Sequence, residues 1–169
     1  MGIAYLYCNF RRQSTQGGDD LLLSLLKQLA STRPALPPSV KTLYSQRRRP
    51  LLDEILAALL DVAAEYSSVF VVVDALDECT SAQGCRGRLL AQLLNLHSAA
   101  GVSVFATSRP IPEIVDIFKH FPLLEVRASR EDVGLYLRGH MGELMPFVAR
   151  SLDLQERIVS AISSAADGM

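Results

Sequence analysis

The sequence predicts an α/β fold built on a parallel sheet, and three observations carry that expectation. The first is the unbroken apolar run Val69-Phe70-Val71-Val72-Val73, mostly β-branched, which ends in Asp74, Asp77 and Glu78. A strand apolar without alternation is one buried on both faces, as parallel strands are. The second is the regular exchange of such runs with amphipathic helical stretches, the signature of right-handed crossovers. The third is the C-terminal part, where helical patterns follow one another with no further strand, so a helical subdomain is expected to start near residue 128 after a core spanning 1–127.

In chain order, Ile3 to Phe10 is rich in β-branched and aromatic residues and predicts a strand, closed by the polar stretch Arg11 to Gly18. Asp19 or Asp20 then caps a helix with Leu22, Leu25, Leu26 and Leu29 on one face. Ser31 to Ser39 holds Pro34, Pro37 and Pro38 and is expected to be a surface connection. From Pro50 a second helix carries Asp53 and Glu54 in its first turn and the stripe Leu52, Ile55, Leu56, Leu59, Leu60 and Ala63.

The Val69 strand follows, and Thr80 to Gly87 reads as a polar loop. Leu89, Leu90, Leu93 and Leu94 mark a third helix that ends near Gly101. Val102 to Ala106 predicts a strand that stops at Thr107-Ser108-Arg109-Pro110, and Ile114, Val115 and Phe118 a short helix. Leu123 to Val126 predicts one more short strand. Ser129-Arg130-Glu131-Asp132 has the form of a capping box and opens a helix to about Glu143; a last helix, Leu152 to Ala166, is expected to turn Leu154, Ile158 and Ile162 inward.

Composition removes several classes of function. The 169 residues carry a formal net charge of -1, so no global field argues for nucleic acid or a membrane surface. No apolar stretch reaches the roughly 20 residues of a membrane span. The one basic run, Arg47-Arg48-Arg49, reads as a solvated loop before Pro50. The three cysteines, Cys8, Cys79 and Cys85, form no disulfide framework and lack the spacing of a zinc site; with no targeting segment visible, a cytoplasmic, reducing environment is expected. His97, His120 and His140 are scattered and give no nucleophilic triad.

Acids at the carboxyl end of a buried strand stand where open α/β sheets bind ligands, although a core strand followed by an acidic helix cap is the simpler alternative. The motifs together resemble the NACHT branch of signal-transduction ATPases, in particular the nephrocystin-3-like modules abundant in fungal NLR-like proteins of the STAND class, which often carry ankyrin or other repeats. The resemblance rests on four features: Ala4-Tyr5-Leu6-Tyr7-Cys8-Asn9-Phe10, the extended Walker B Val71-Val72-Val73-Asp74-Ala75-Leu76-Asp77-Glu78-Cys79, the sensor-like Phe105-Ala106-Thr107-Ser108-Arg109-Pro110, and Ser129-Arg130-Glu131-Asp132-Val133 with Tyr136-Leu137.

The resemblance implies a Mg²⁺ carboxylate at Asp74, water-orienting acids at Asp77 and Glu78, and a γ-phosphate sensor at Arg109, with Thr107 and Ser108 positioning water or phosphate. An ion pair of Arg109 with Asp77 or Glu78 that ties two strand ends together is the competing role. The implied cofactors of the intact family are Mg²⁺ with ATP or GTP, and none is expected to be held stably by this chain. The implied partners are proteins, reached through flanking effector and repeat domains, with self-association at open strand edges and no nucleic acid or membrane.

One family element is missing. A phosphate-cradling G-x-x-x-x-G-K-[ST] loop requires a Gly-Lys pair, and Lys27, Lys41 and Lys119 follow Leu26, Val40 and Phe118. The resemblance therefore implies an incomplete P-loop NTPase-type sheet, with strands 2, 3, 4 and 5 present and the central strand 1 lying before Met1. A gap beside the Val102 strand, or its pairing with Leu123 to Val126, is expected, and so is negligible ATP hydrolysis. The alternative is a degenerate, non-enzymatic NACHT scaffold.

Overall fold

The computed structural model describes residues 1–12, 17–80 and 84–166. They divide into two compact units, Met1–Phe118 and Lys119–Met169. The parts of the predicted Arg11–Gly18 and Thr80–Gly87 loops at 13–16 and 81–83 lie outside the described residues.

In the first unit, β1 (Gly2–Tyr7), β2 (Val69–Asp74) and β3 (Ser103–Ala106) form a parallel sheet in that spatial order. Gly2 stands opposite Val69 and Tyr7 opposite Asp74, while Phe70 faces Ser103 and Val73 faces Ala106. Both crossovers step across the sheet in the same direction. Because parallel crossovers are right-handed, they place their helices on one face. That face is lined by Ala4, Leu6, Val69, Val71 and Val73, all buried, and α1 (Gly18–Ser31), α3 (Leu52–Ala64) and α4 (Cys85–Ala100) share its core. On the opposite face Ile3, Tyr5, Tyr7, Phe70 and Phe105 are exposed.

Local chemistry explains where the helices start and stop. Glu54 reaches back to the backbone N-H of Leu51 at 2.8 Å and closes the start of α3, and the Arg48 guanidinium grips the same carboxylate with two hydrogen bonds. These contacts, the Arg48 bonds foremost, hold the Glu54 carboxyl down at about 2. Gly101 ends α4 in the left-handed region, φ 63°, which glycine adopts without penalty. Ile55, Leu59 and Ala63 of the predicted α3 stripe are buried, with Leu52, Leu56 and Leu60 at its margin.

Three expectations for the first unit change. The Val69 strand is not buried on both faces, since Phe70 is exposed on the side of the sheet away from α1, α3 and α4. The segment Ser31 to Ser39 is not all connection: Pro38 opens α2 (Pro38–Ser45), because a proline at the first helical position loses no intrahelical bond. The first strand stops at Tyr7 rather than Phe10, which lies in a 3-10 turn, Phe10–Arg12. The short α5 (Pro112–Phe118) buries Ile114, as its apolar spacing predicts.

The second unit corrects the fourth strand. Leu123 to Val126 has no regular structure, and Leu124 is 86% exposed, so β propensity without a neighbouring strand leaves it unpaired. Among the described residues the side of β3 away from β2 has no strand beside it, so the alternative pairing of the Val102 strand with Leu123 to Val126 does not form. The Ser129 box opens α6 (Arg130–His140): its hydroxyl accepts from the Asp132 N-H at 3.0 Å. A 3-10 turn, α7 (Pro146–Ala149) and α8 (Leu152–Ala165) follow. Contrary to expectation, α8 buries no residue fully: Leu154 and Ile158 are half-buried and Ile162 is exposed.

Candidate functional site

The carboxyl ends of β2 and β3 are joined by a network centred on Thr107. Its N-H donates to the Val73 carbonyl at 2.9 Å, and its own carbonyl accepts from the Leu76 N-H at 2.9 Å. The Thr107 hydroxyl donates to Asp74 Oδ1 at 2.6 Å and accepts from the Ala75 N-H at 2.9 Å. One hydroxyl thus fixes both the last side chain of β2 and the turn that follows. That turn is abrupt, since Ala75 takes φ 54° and ψ 50°. A non-glycine residue held there is strained, and the surrounding bonds and the fully buried Leu76 keep it so.

The turn Leu76–Glu78 presents the other two acids. Asp77 accepts from the backbone N-H of Arg109 at 3.1 Å through one oxygen and from the guanidinium Nε at 2.5 Å through the other. The Asp77 side chain is only 5% exposed, whereas that of Arg109 is 78% exposed. Burial pushes the Asp77 carboxyl up, but the hydrogen bonds from Arg109 and from the Asp77 backbone outweigh it and hold the carboxyl below its ordinary range. The same bond raises the Arg109 guanidinium. Glu78 Oε2 accepts from the Phe10 N-H at 3.2 Å, and Cys8 continues the ladder by donating to the Asp74 carbonyl at 3.0 Å. The ends of all three strands are thereby tied to the acid turn.

The six predicted site residues therefore fall into one place. Asp74 and Arg109 are linked through Thr107, which lies two residues, hence at most about 7.6 Å of chain, from Arg109. The three acids do not converge on one point: Asp77 is turned to Arg109, Glu78 to β1 and Asp74 to Thr107. Ser108 directs its hydroxyl to the Arg109 carbonyl at 2.8 Å. Among the described residues no group of three or more His, Cys, Asp and Glu side chains is placed to hold a metal ion.

Two further elements of the site escaped sequence reasoning. Arg86 is the buried charged residue of the core; it donates to Glu113 Oε2 at 2.5 Å and to the Asp77 carbonyl at 3.4 Å. A cation in the first turn of a helix that has no acid there opposes the helix dipole, and that was the available signal that Arg86 needed a partner. Cys8, Cys79 and Cys85 are buried and form no disulfide. The hydrogen bond between Cys79 and Cys8 lowers the Cys8 thiol and, with burial, pushes Cys79 far up.

Fold and site together define a parallel α/β module with an acid–guanidinium cluster at the carboxyl ends of its strands. Residues 1–109 match the family model described as Nephrocystin 3, N-terminal, and the chain belongs to that family. This membership is consistent with the NACHT-like module that the motifs implied. A comparison with curated proteins finds no match.

Proposed function

We propose that this module is the metal and sensor half of a nucleotide-dependent switch of P-loop type, in the sense the family resemblance implies. The observation that carries the reading is the Thr107 bridge, which sets Asp74 and Arg109 at adjoining strand ends. Asp74 is the metal carboxylate: it is exposed, and one oxygen is spent on Thr107. A hard cation held by one or two carboxylates, with phosphate and water oxygens completing its shell, suits that donor set. Arg109 is the γ-phosphate sensor, anchored by Nε while its other donors have no hydrogen bond among the described residues. Asp77 is then a positioning residue that aims Arg109, Glu78 is the remaining acid for orienting water, and Thr107 and Ser108 shape the phosphate side.

The phosphate cradle is not among these 169 residues. The open side of β3 and the uncovered aromatic sheet face support a docking place for a strand–loop–helix unit carrying it. With the cradle supplied, ATP or GTP with Mg²⁺ would shift a neighbouring helical region between arrangements, because only one arrangement gains the phosphate contacts. Protein partners would read that shift in a cytoplasmic signalling protein.

Paramagnetic Mn²⁺ with ATP tests the reading. Broadening of backbone NMR signals confined to the surroundings of Asp74 and Thr107, stronger with ATP than with Mn²⁺ alone and absent in Asp74→Asn, is expected. Broadening that ignores that substitution refutes it. No ATP turnover is expected from the chain alone. A second reading, a scaffold in which the cluster is a structural lock, is favoured by the complete use of the Asp77 oxygens by Arg109. It predicts lost stability but no metal–nucleotide effect.

A further inference from the structure

A groove of about 790 Å³ lies between α1, α2 and the segment 47–50, away from the strand-end acids. Its floor is apolar, formed by Leu26 of α1 and Val40 and Leu43 of α2. At its rim stand Lys27, Arg47 and Tyr44, all exposed, the tyrosine at 85%. Arg48 and Arg49 also line it, and their guanidinia are held from behind by Glu54 at 2.6 Å and Asp20 at 2.7 Å. No carboxylate lines the groove among the described residues, although the whole chain carries a net charge of -1. This is a local positive rim around an apolar trough.

The basic run that composition leaves as a solvated loop is thus organised on an apolar trough. Arg47 follows α2 in the left-handed region, φ 50°, where a helix end usually places glycine, so the chain turns sharply enough to carry three successive arginines past the groove. The α2 helix has no fully buried residue: Val40 and Leu43 pack on the core yet stay half-buried, so they keep apolar surface toward the trough. A trough between two helices accepts a third helix through side chains one and two turns apart. The rim selects the sign of that helix's polar face.

We infer that the groove docks an acidic amphipathic helix of a protein partner, its apolar side on Leu26, Val40, Leu43 and Tyr44 and its carboxylates against Lys27 and Arg47. This site stands apart from the proposed nucleotide half-site and does not depend on it. The probe is a fluorescein-labelled synthetic peptide of about three turns, with Leu at i, i+3, i+4 and i+7 and Glu at the flanking positions.

Fluorescence anisotropy with the full 169-residue chain should show saturable binding that weakens as salt rises. Arg47→Glu and Tyr44→Ser, both at exposed positions, should each weaken binding about tenfold or more. Arg88→Glu, the same charge change on an exposed face of α4, should leave it intact. Circular dichroism of each variant verifies the fold. Absence of binding, equal loss with Arg88→Glu, or capture by phosphatidylserine vesicles without capture of the peptide would overturn the inference.

Discussion

Asp77 is the residue on which the strand-end cluster turns. It is out of solvent while its partner guanidinium is in it, so the pair is worth less than a buried one. We expect Asp77→Asn to cost about 1 kcal/mol, the value of a charge-assisted bond reduced for the exposed side. The folded carboxyl sits below its ordinary value of 3.8, so its contribution is complete above that value and fades as pH falls through the lower folded one. Urea melts at stepped pH should show a shallower acid loss in Asp77→Asn than in the parent chain. An unchanged acid limb would mean that Arg109 does not hold this carboxylate in solution.

The same residue shows how far the sequence reached. Three acids in five residues marked the site, and the pairing of Arg109 with one of them was one of two roles open from the motif alone. Which acid it would take was not legible, because the choice depends on the left-handed turn at Ala75 and on the Thr107 network, neither of which has a local sequence signal. Arg86 was missed for a related reason: its partners Glu113 and the Asp77 carbonyl come from other elements.

At the scale of elements, the helix ends at Ser129 and Gly101 were legible because a cap side chain and a glycine announced them, whereas α1 starts after Gly17, so Asp19 and Asp20 lie in its first turn instead of capping it. Two left-handed positions now give opposite expectations. A Cβ at Gly101 would meet nothing within 4 Å, so Gly101→Ala has only a conformational penalty, about 1 kcal/mol. Ala75 already bears that penalty at φ 54°, and Ala75→Gly should gain about 0.5–1 kcal/mol. Thermal melts of the pair, shifting in opposite directions, check this. Pro38 and Ser39, the first two residues of α2, were read as part of a connection because prolines interrupt helices in their interior, whereas Pro38 stands at the first position, where the rule reverses. Leu123 to Val126 failed for the opposite reason, since a strand needs a neighbour that local propensity does not supply.

Over the whole molecule the two units differ in how much they bury. The first holds a continuous core from Ala4 to Ile114, whereas the described part of the second fully buries only Met141 and Val148 among its apolar side chains. Stability follows buried apolar contact, so backbone amides of α6 and α8 should exchange with solvent orders of magnitude faster than those of β2. Native-state hydrogen exchange read by mass spectrometry decides this; equal protection would contradict it. The amphipathic stripes and the alternation of strands with helices were set by apolar spacing alone, which is why three strands and most helices could be read from the sequence, whereas the spatial order of the strands could not. Only the tertiary structure decided which sheet face stays bare, which acid holds Arg109 and that three arginines border an apolar groove, because each depends on groups distant in sequence that only packing and crossover direction bring together.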